Sequence, residues 1–174
     1  MQRFLVQDKM PEIASWARVV SLYHVLVGMT LEHGCEEAIR ARVIELLRRV
    51  VVACIDIQYA AADPIAIEAD LQKAMDSLRE DVGEEARNRT DNALRVYDTT
   101  EYLEAIHELV DVGGSAEESI ERRKDKLQEA VRCLDIALCH RHTLEVLAPA
   151  LCAYLVVRRE DVVNMLGEIG EGGR

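Results

Sequence analysis

Helix-breaking residues are scarce in this chain: three prolines and nine glycines occur in 174 residues, and they fall where helices should start or stop. No alternating apolar segment is bounded by hairpin turn residues, so nothing in the sequence argues for strands. Also missing are a Gly-rich phosphate loop, a serine nucleophile elbow and an H-E-x-x-H pattern, which removes the commonest hydrolase and kinase chemistries. The long apolar runs, such as Leu151 to Val157 and Val50 to Ile55, fall short of the roughly 20 residues that span a bilayer, so no membrane span is expected. Positive charge is in deficit. Thirty-two acids against 21 bases give a net charge of −11, which repels phosphate backbones and anionic membranes and argues against nucleic acid as a partner. The five cysteines follow no disulfide framework, and Met1 to Lys9 carries charges where an export segment would be apolar. The expectation is a cytoplasmic protein with reduced thiols.

About half of the residues are apolar and 30% are charged, the mixture of a packed core under a charged surface. Pro11 opens the first predicted helix, with Trp16, Val20, Tyr23, Val27 and Leu31 on one face and Gly34 as a cap. From Glu36 to Ala62 a second helix carries Ile39, Val43, Leu46, Val50, Cys54 and Ile57 on one stripe. Ile44, Leu47, Val51 and Ile55 widen that stripe, which predicts a helix surrounded on nearly every side. Asp63 before Pro64 reads as an N-cap with proline in the first turn. Periodicity leaves Glu84 to Asn92 open between an exposed helix and a connecting arm. Asp98 with Glu101, and Ser115 with Glu118, are spaced as capping pairs, and Gly113-Gly114 closes the helix between them. The next helix carries Ile120, Leu127, Val131, Leu134 and Leu138. Pro149 kinks or begins a last helix that runs to about Leu166, and the tail after Gly167 is expected to be loose. The fold class is all-α.

The chain also resembles itself. Val52-Ala53-Cys54-Ile55-Asp56-Ile57 recurs as Val131-Arg132-Cys133-Leu134-Asp135-Ile136, at an offset of 79 residues. In the same order, Glu36 to Ile39 parallels Glu117 to Ile120, Tyr23 parallels Tyr102, and Arg18-Val19 parallels Arg95-Val96. A proline-opened helix follows each copy, at Pro64 and Pro149. The expected architecture is therefore a helical bundle of two tandem three-helix repeats, residues 1–80 and 81–174, packed as a pseudo-dimer within one chain. Amphipathic helices of similar composition are the plainer explanation of the same matches.

The opening Phe4-Leu5-Val6-Gln7-Asp8-Lys9-Met10-Pro11-Glu12-Ile13 resembles the K-L-V-R-D-K-I-P-E-I start of small proteins in the all-α nucleotide pyrophosphohydrolase superfamily, the MazG-type and phosphoribosyl-ATP pyrophosphohydrolase-like proteins. Val96 to Ile106 is similar to their next stretch, V-L-D-D-E-E-Y-L-E-A-L. In those proteins the second stretch follows closely, whereas here about 80 residues intervene, as a duplication would produce. The resemblance implies cleavage of nucleoside triphosphates between the α and β phosphates by Mg²⁺. Helix-borne carboxylates in the pattern E-E-x-x-E, with E-x-x-D on the next helix, hold the metal. Such spacings set acids on one helix face, where hard oxygens complete an octahedron with water and phosphate.

Carried onto this sequence, the resemblance places Mg²⁺ on Glu104, Glu108 and Asp111, with Glu129 from the following helix. Lys126 occupies the position of a ligand. In the first half the same register gives Leu47 and Val50, with only Glu32 nearby, so that half is expected to bind no such ion. An alternative set spells E-E-x-x-E outright as Glu117, Glu118 and Glu121, with Asp135 following and Arg132 where an acid should stand. Acids at a helix start also stabilise the macrodipole, and both sets read equally as solvated surface. The implied partner is a nucleotide held between the halves. A catalytically silent descendant, serving as a ligand-binding or assembly module, is the competing expectation, favoured by Leu47, Val50 and Lys126.

Cys139-His140-Arg141-His142, with His33 and Cys35, would bind Zn²⁺ only if the groups converged; histidines at a helix C-terminus are the simpler reading. Cys54, Cys133 and Cys152 sit on apolar stripes and are expected in the core. His24 and His107 have no partner spacing, although His107 reaches Glu104 or Asp111 along one face. Arg48-Arg49, Arg122-Arg123 and Arg158-Arg159 are basic spots suited to phosphate or, more simply, to ion pairs with nearby acids.

Overall fold

The computed structural model describes residues 10–31, 36–60, 62–97 and 100–171, with side chains described for all of these but Met10 and residues 96–106. Among the described residues the fold is all-helical, as expected, with no strand. The helices are α1 (Met10–Thr30), α2 (Glu37–Tyr59), α3 (Pro64–Asp81), α4 (Glu84–Tyr97), α5 (Thr100–Gly114), α6 (Ile120–Ala137), α7 (Arg141–Leu147) and α8 (Pro149–Glu171). The opening stretch Phe4 to Lys9, the Gly34 cap and the Asp98 cap lie outside the described residues.

The axis of the bundle is α1, which packs on α2, α3, α4, α5 and α8. Ile13, Trp16, Ala17, Val19, Val20, Leu22, Val25 and Leu26 are all buried, so the helix is covered on every side. This reverses the expected roles of the first two helices. It is α1 that is surrounded, while α2 buries one stripe, Val43, Leu46, Val50, Ala53, Cys54 and Ile57. Ile44, Val52 and Ile55 stand in solvent. The reason lies in composition: α1 has no charged residue between Arg18 and its C-terminus, whereas α2 interleaves arginines and acids with its outer apolar positions. The window Pro11–Thr30 is long and apolar enough to cross a membrane, with mean hydropathy 1.2, and 67% of it is buried inside the bundle.

Local chemistry sets the helix boundaries. The Asp63 carboxylate accepts from the Ile65 amide at 3.0 Å, with Pro64 in the first turn, as the sequence predicts. The stretch left open, Glu84 to Asn92, is helical within α4, and it is anchored by Arg87, whose guanidinium donates to the carbonyls of Arg79 at 3.0 Å and Glu80 at 3.3 Å. Arg87 thereby satisfies carbonyls that the end of α3 leaves without partners. At the next joint Arg123 plays the same part, donating to the Gly113 carbonyl at 3.0 Å where α5 ends.

Three boundaries differ from expectation. The cap of α6 is Ser119, accepting from the Arg122 amide at 3.3 Å, and not Ser115, which lies in the preceding turn. A short helix, α7, intervenes before Pro149. The last helix continues to Glu171 where a loose tail was expected after Gly167, because Met165, Leu166 and Ile169 pack against the core.

One continuous core joins both parts of the chain. Each part contains an antiparallel helical hairpin, α1–α2 and α5–α6, followed by a proline-started helix, α3 and α8. The two parts are bridged where the Gln58 side chain, at the end of α2, accepts from the Ala150 amide at the start of α8, at 3.3 Å. Burial and sequence identity run in different registers. At the offset of 79, exposed Ile55 faces buried Leu134 and buried Ile57 faces exposed Ile136. Moved by one residue, 51–60 and 131–140 have the same succession of buried and exposed positions.

Candidate functional site

The acidic positions singled out by the resemblance lie on α5 and α6, which pack against each other. Glu104 lies on α5, and its side chain is outside the described residues. One and two turns further on, Glu108 and Asp111 project into solvent, because the buried face of α5 is formed by Leu109, Val110 and Gly113. The carboxylate of Asp111 lies 3.8 Å from His107 Nε2, the pairing that the four-residue spacing predicts. Across on α6, Glu129 is 3.7 Å from the ammonium of Lys126. The lysine standing at a ligand position thus also engages the remaining acid.

The alternative set is divided by the helix boundary. Glu117 and Glu118 precede α6, and only Glu121 lies in its first turn, so the three acids do not form one helical face. Glu118 pairs with Arg122 at 3.3 Å, and Asp135 pairs with Arg159 of α8 at 2.6 Å. Among the described residues, no three His, Cys, Asp or Glu side chains converge as metal ligands would. Mg²⁺ demands several hard oxygens in near-octahedral array. The described carboxylates at these positions are instead divided among cationic partners or separate in solvent, and they do not fit that ion.

The histidine-rich corner contains a contact that sequence spacing does not reveal. His24 of α1 lies against His140, with ring centroids 4.4 Å apart and planes inclined by 35°, and Tyr23 packs edge-on to His24 at 5.6 Å. Burial, followed by the neighbouring His140, lowers the His24 pKa from 6.5 to about 4, since a half-buried ring resists charging and two imidazolium rings repel. His140 stands at the start of α7, just past the end of α6, while Cys139 and His142 are exposed. His33 and Cys35 lie outside the described residues. As expected, Cys54, Cys133 and Cys152 are buried; burial pushes the Cys54 thiol up to about 12 and raises the other two.

Between α2 and α3 runs an open groove. It contains one cavity of about 350 Å³, lined by Arg48, Val52, Asp56, Ile67 and Asp70, and a second of about 240 Å³ with Arg42, Ser77 and Leu78 in its wall. Glu45 and Arg49 border both. Of the basic spots, Arg48, Arg122 and Arg159 pair with Glu45, Glu118 and Asp135, so these arginines serve the helix surface as charge spacing suggests. Of the Val52, Arg48 and Asp56 cluster on the outer side of α2, the sequence marks Arg48 as part of a basic spot; the excess of apolar residues across from the Val43–Val50–Ile57 stripe is the signal for Val52, and Asp56 has none.

No family model matches the chain, and neither the curated proteins nor the solved structures include a match.

Proposed function

We propose that this protein is a catalytically silent relative of the MazG-type pyrophosphohydrolases, retained as a helical assembly module. The supporting observation is the fate of the acids. Glu129, Glu118 and Asp135 are paired with Lys126, Arg122 and Arg159. A carboxylate engaged by a cation in this way is a poor ligand, because a metal must displace the guanidinium or ammonium and still find further oxygens. In this reading Asp135 now fastens α6 to α8, while Glu118 and Glu129 pair along α6 and solvate the surface. The exposed apolar positions of α2 supply the binding surface.

The test is Mg²⁺-dependent release of pyrophosphate from a panel of nucleoside triphosphates, with calorimetric titration of Mg²⁺ alongside. The expected result is no release and no heat of specific binding. Release that disappears in Glu104→Ala and Glu108→Ala would overturn the proposal in favour of an active nucleotide pyrophosphohydrolase.

A further inference from the structure

We infer that the outer face of α2 is the contact surface for a second copy of this chain, packed antiparallel about a twofold axis through Val52. The inference rests on reading the protein as an assembly module. Ile44, Val52, Ile55 and Tyr59 are 39%, 54%, 50% and 78% exposed, and their spacing of three to eight residues keeps them along one side of the helix. A run of exposed apolar side chains on one helix marks an interaction surface far more often than scattered single residues do.

The charges on this face identify the partner. Arg48 and Asp56 stand four residues before and after Val52, and both are exposed. When two antiparallel copies meet at Val52, each position 52−n faces the partner's 52+n, so Arg48 of each copy faces the partner's Asp56. A twofold interface repeats every contact, which gives two such ion pairs, one on each side of the central valines. By the same rule Ile44 faces the partner's Ala60, next to Tyr59, at each end of the contact. Arg48 is held only loosely within its own chain, 3.6 Å from Glu45 with its side chain 74% exposed, and Asp56 has no ion pair among the described residues.

Charge balance favours the same face. Glu45, Arg48, Arg49 and Asp56 sum to zero in a chain whose net charge is −11, so two copies approach here with less repulsion than across an average surface. Beside Val52, the cavity of about 350 Å³ between α2 and α3 offers space into which an apolar side chain of the partner can settle.

The test is sedimentation velocity of the full chain over roughly 1–100 μM, the range in which modest specific complexes populate. Wild type should show a dimer whose population rises with concentration. Arg48→Asp alone and Asp56→Arg alone should each be monomeric while keeping the wild-type circular dichroism, because each places like charges opposite one another twice. An equimolar mixture of the two variants should regain the dimer, since both cross-pairs then have opposite sign. A monomeric wild type, dimers unaffected by either single change, or a mixture that stays monomeric would each overturn the inference. A monomer without pyrophosphohydrolase activity would remove the dimer alone, whereas a dimer that cleaves nucleotides would remove the silent reading alone.

Discussion

Gly113 of α5 lies hard against Leu127 of α6: a methyl group on Gly113 would lie 2.5 Å from both Cγ and Cδ2 of Leu127. Leu127 is fully buried, so its branched end cannot swing into solvent. The glycine therefore does more than end a helix. It sets the spacing of the hairpin that carries Glu108, Asp111 and Glu129.

Gly113→Ala is expected to force that hairpin apart. Overpacking of this kind costs about 1–3 kcal/mol, which corresponds to a fall in Tm of several degrees for a chain of this size. Thermal unfolding of Gly113→Ala, of Leu127→Ala and of the double variant checks the origin of the effect. The alanine at 127 vacates the space that the new methyl needs, so the double variant should lose less than the sum of the single losses. Simple additivity would show that the two side chains do not share the space.

The His24–His140 contact makes stability depend on pH in a defined direction. The folded-state pKa of His24 is lowered from 6.5 to about 4, so below pH 6.5 the unfolded chain binds a proton that the folded chain excludes. Stability should fall as pH drops from 6.5 towards 4, and this contribution should level off below that value, where both states are protonated. The folded ring is half exposed, so solvent moderates the size of the effect. Urea unfolding at pH 7.5, 6.0 and 5.0 measures it, and His24→Gln should flatten the profile over this interval. An unchanged slope in that variant would assign the pH dependence to other groups.

How far the sequence discloses the fold depends on the range of the interaction involved. Asp63 with Pro64, the stop at Gly113-Gly114 and the buried stripe of α2 are local patterns, and each reads directly from neighbouring residues. Which helix becomes the axis is a long-range outcome. The apolar excess of α2 suggests burial on every side, yet α1, with fewer charges along its length, wins the central position, and Ile44 and Ile55 are left outside. The site follows the same division. Lys126 beside Glu129 is visible as a substitution in one helix. The pairing of Asp135 with Arg159, and of His24 with His140, joins separate helices, and no spacing rule announces it. The start of α6 turns on a local ambiguity: Ser115 and Ser119 both precede acids, and only Ser119 accepts the amide of the first turn.

Thiol chemistry probes the same core from another side. Among the described cysteines, Cys54, Cys133 and Cys152 are buried and Cys139 is exposed. The thiolate is the reactive species, and burial holds the Cys54 thiol at about 12, so at neutral pH this residue is both covered and protonated. Titration of the native protein with an aromatic disulfide reagent should modify Cys139 rapidly. Cys54, Cys133 and Cys152 should react only at the rate of global opening. Cys139→Ser should remove one thiol from the fast phase, and urea above the unfolding midpoint should release the slow ones together. Fast labelling of Cys54 in native buffer, located by peptide mass, would mean that α2 leaves α1 far more readily than a closed core allows.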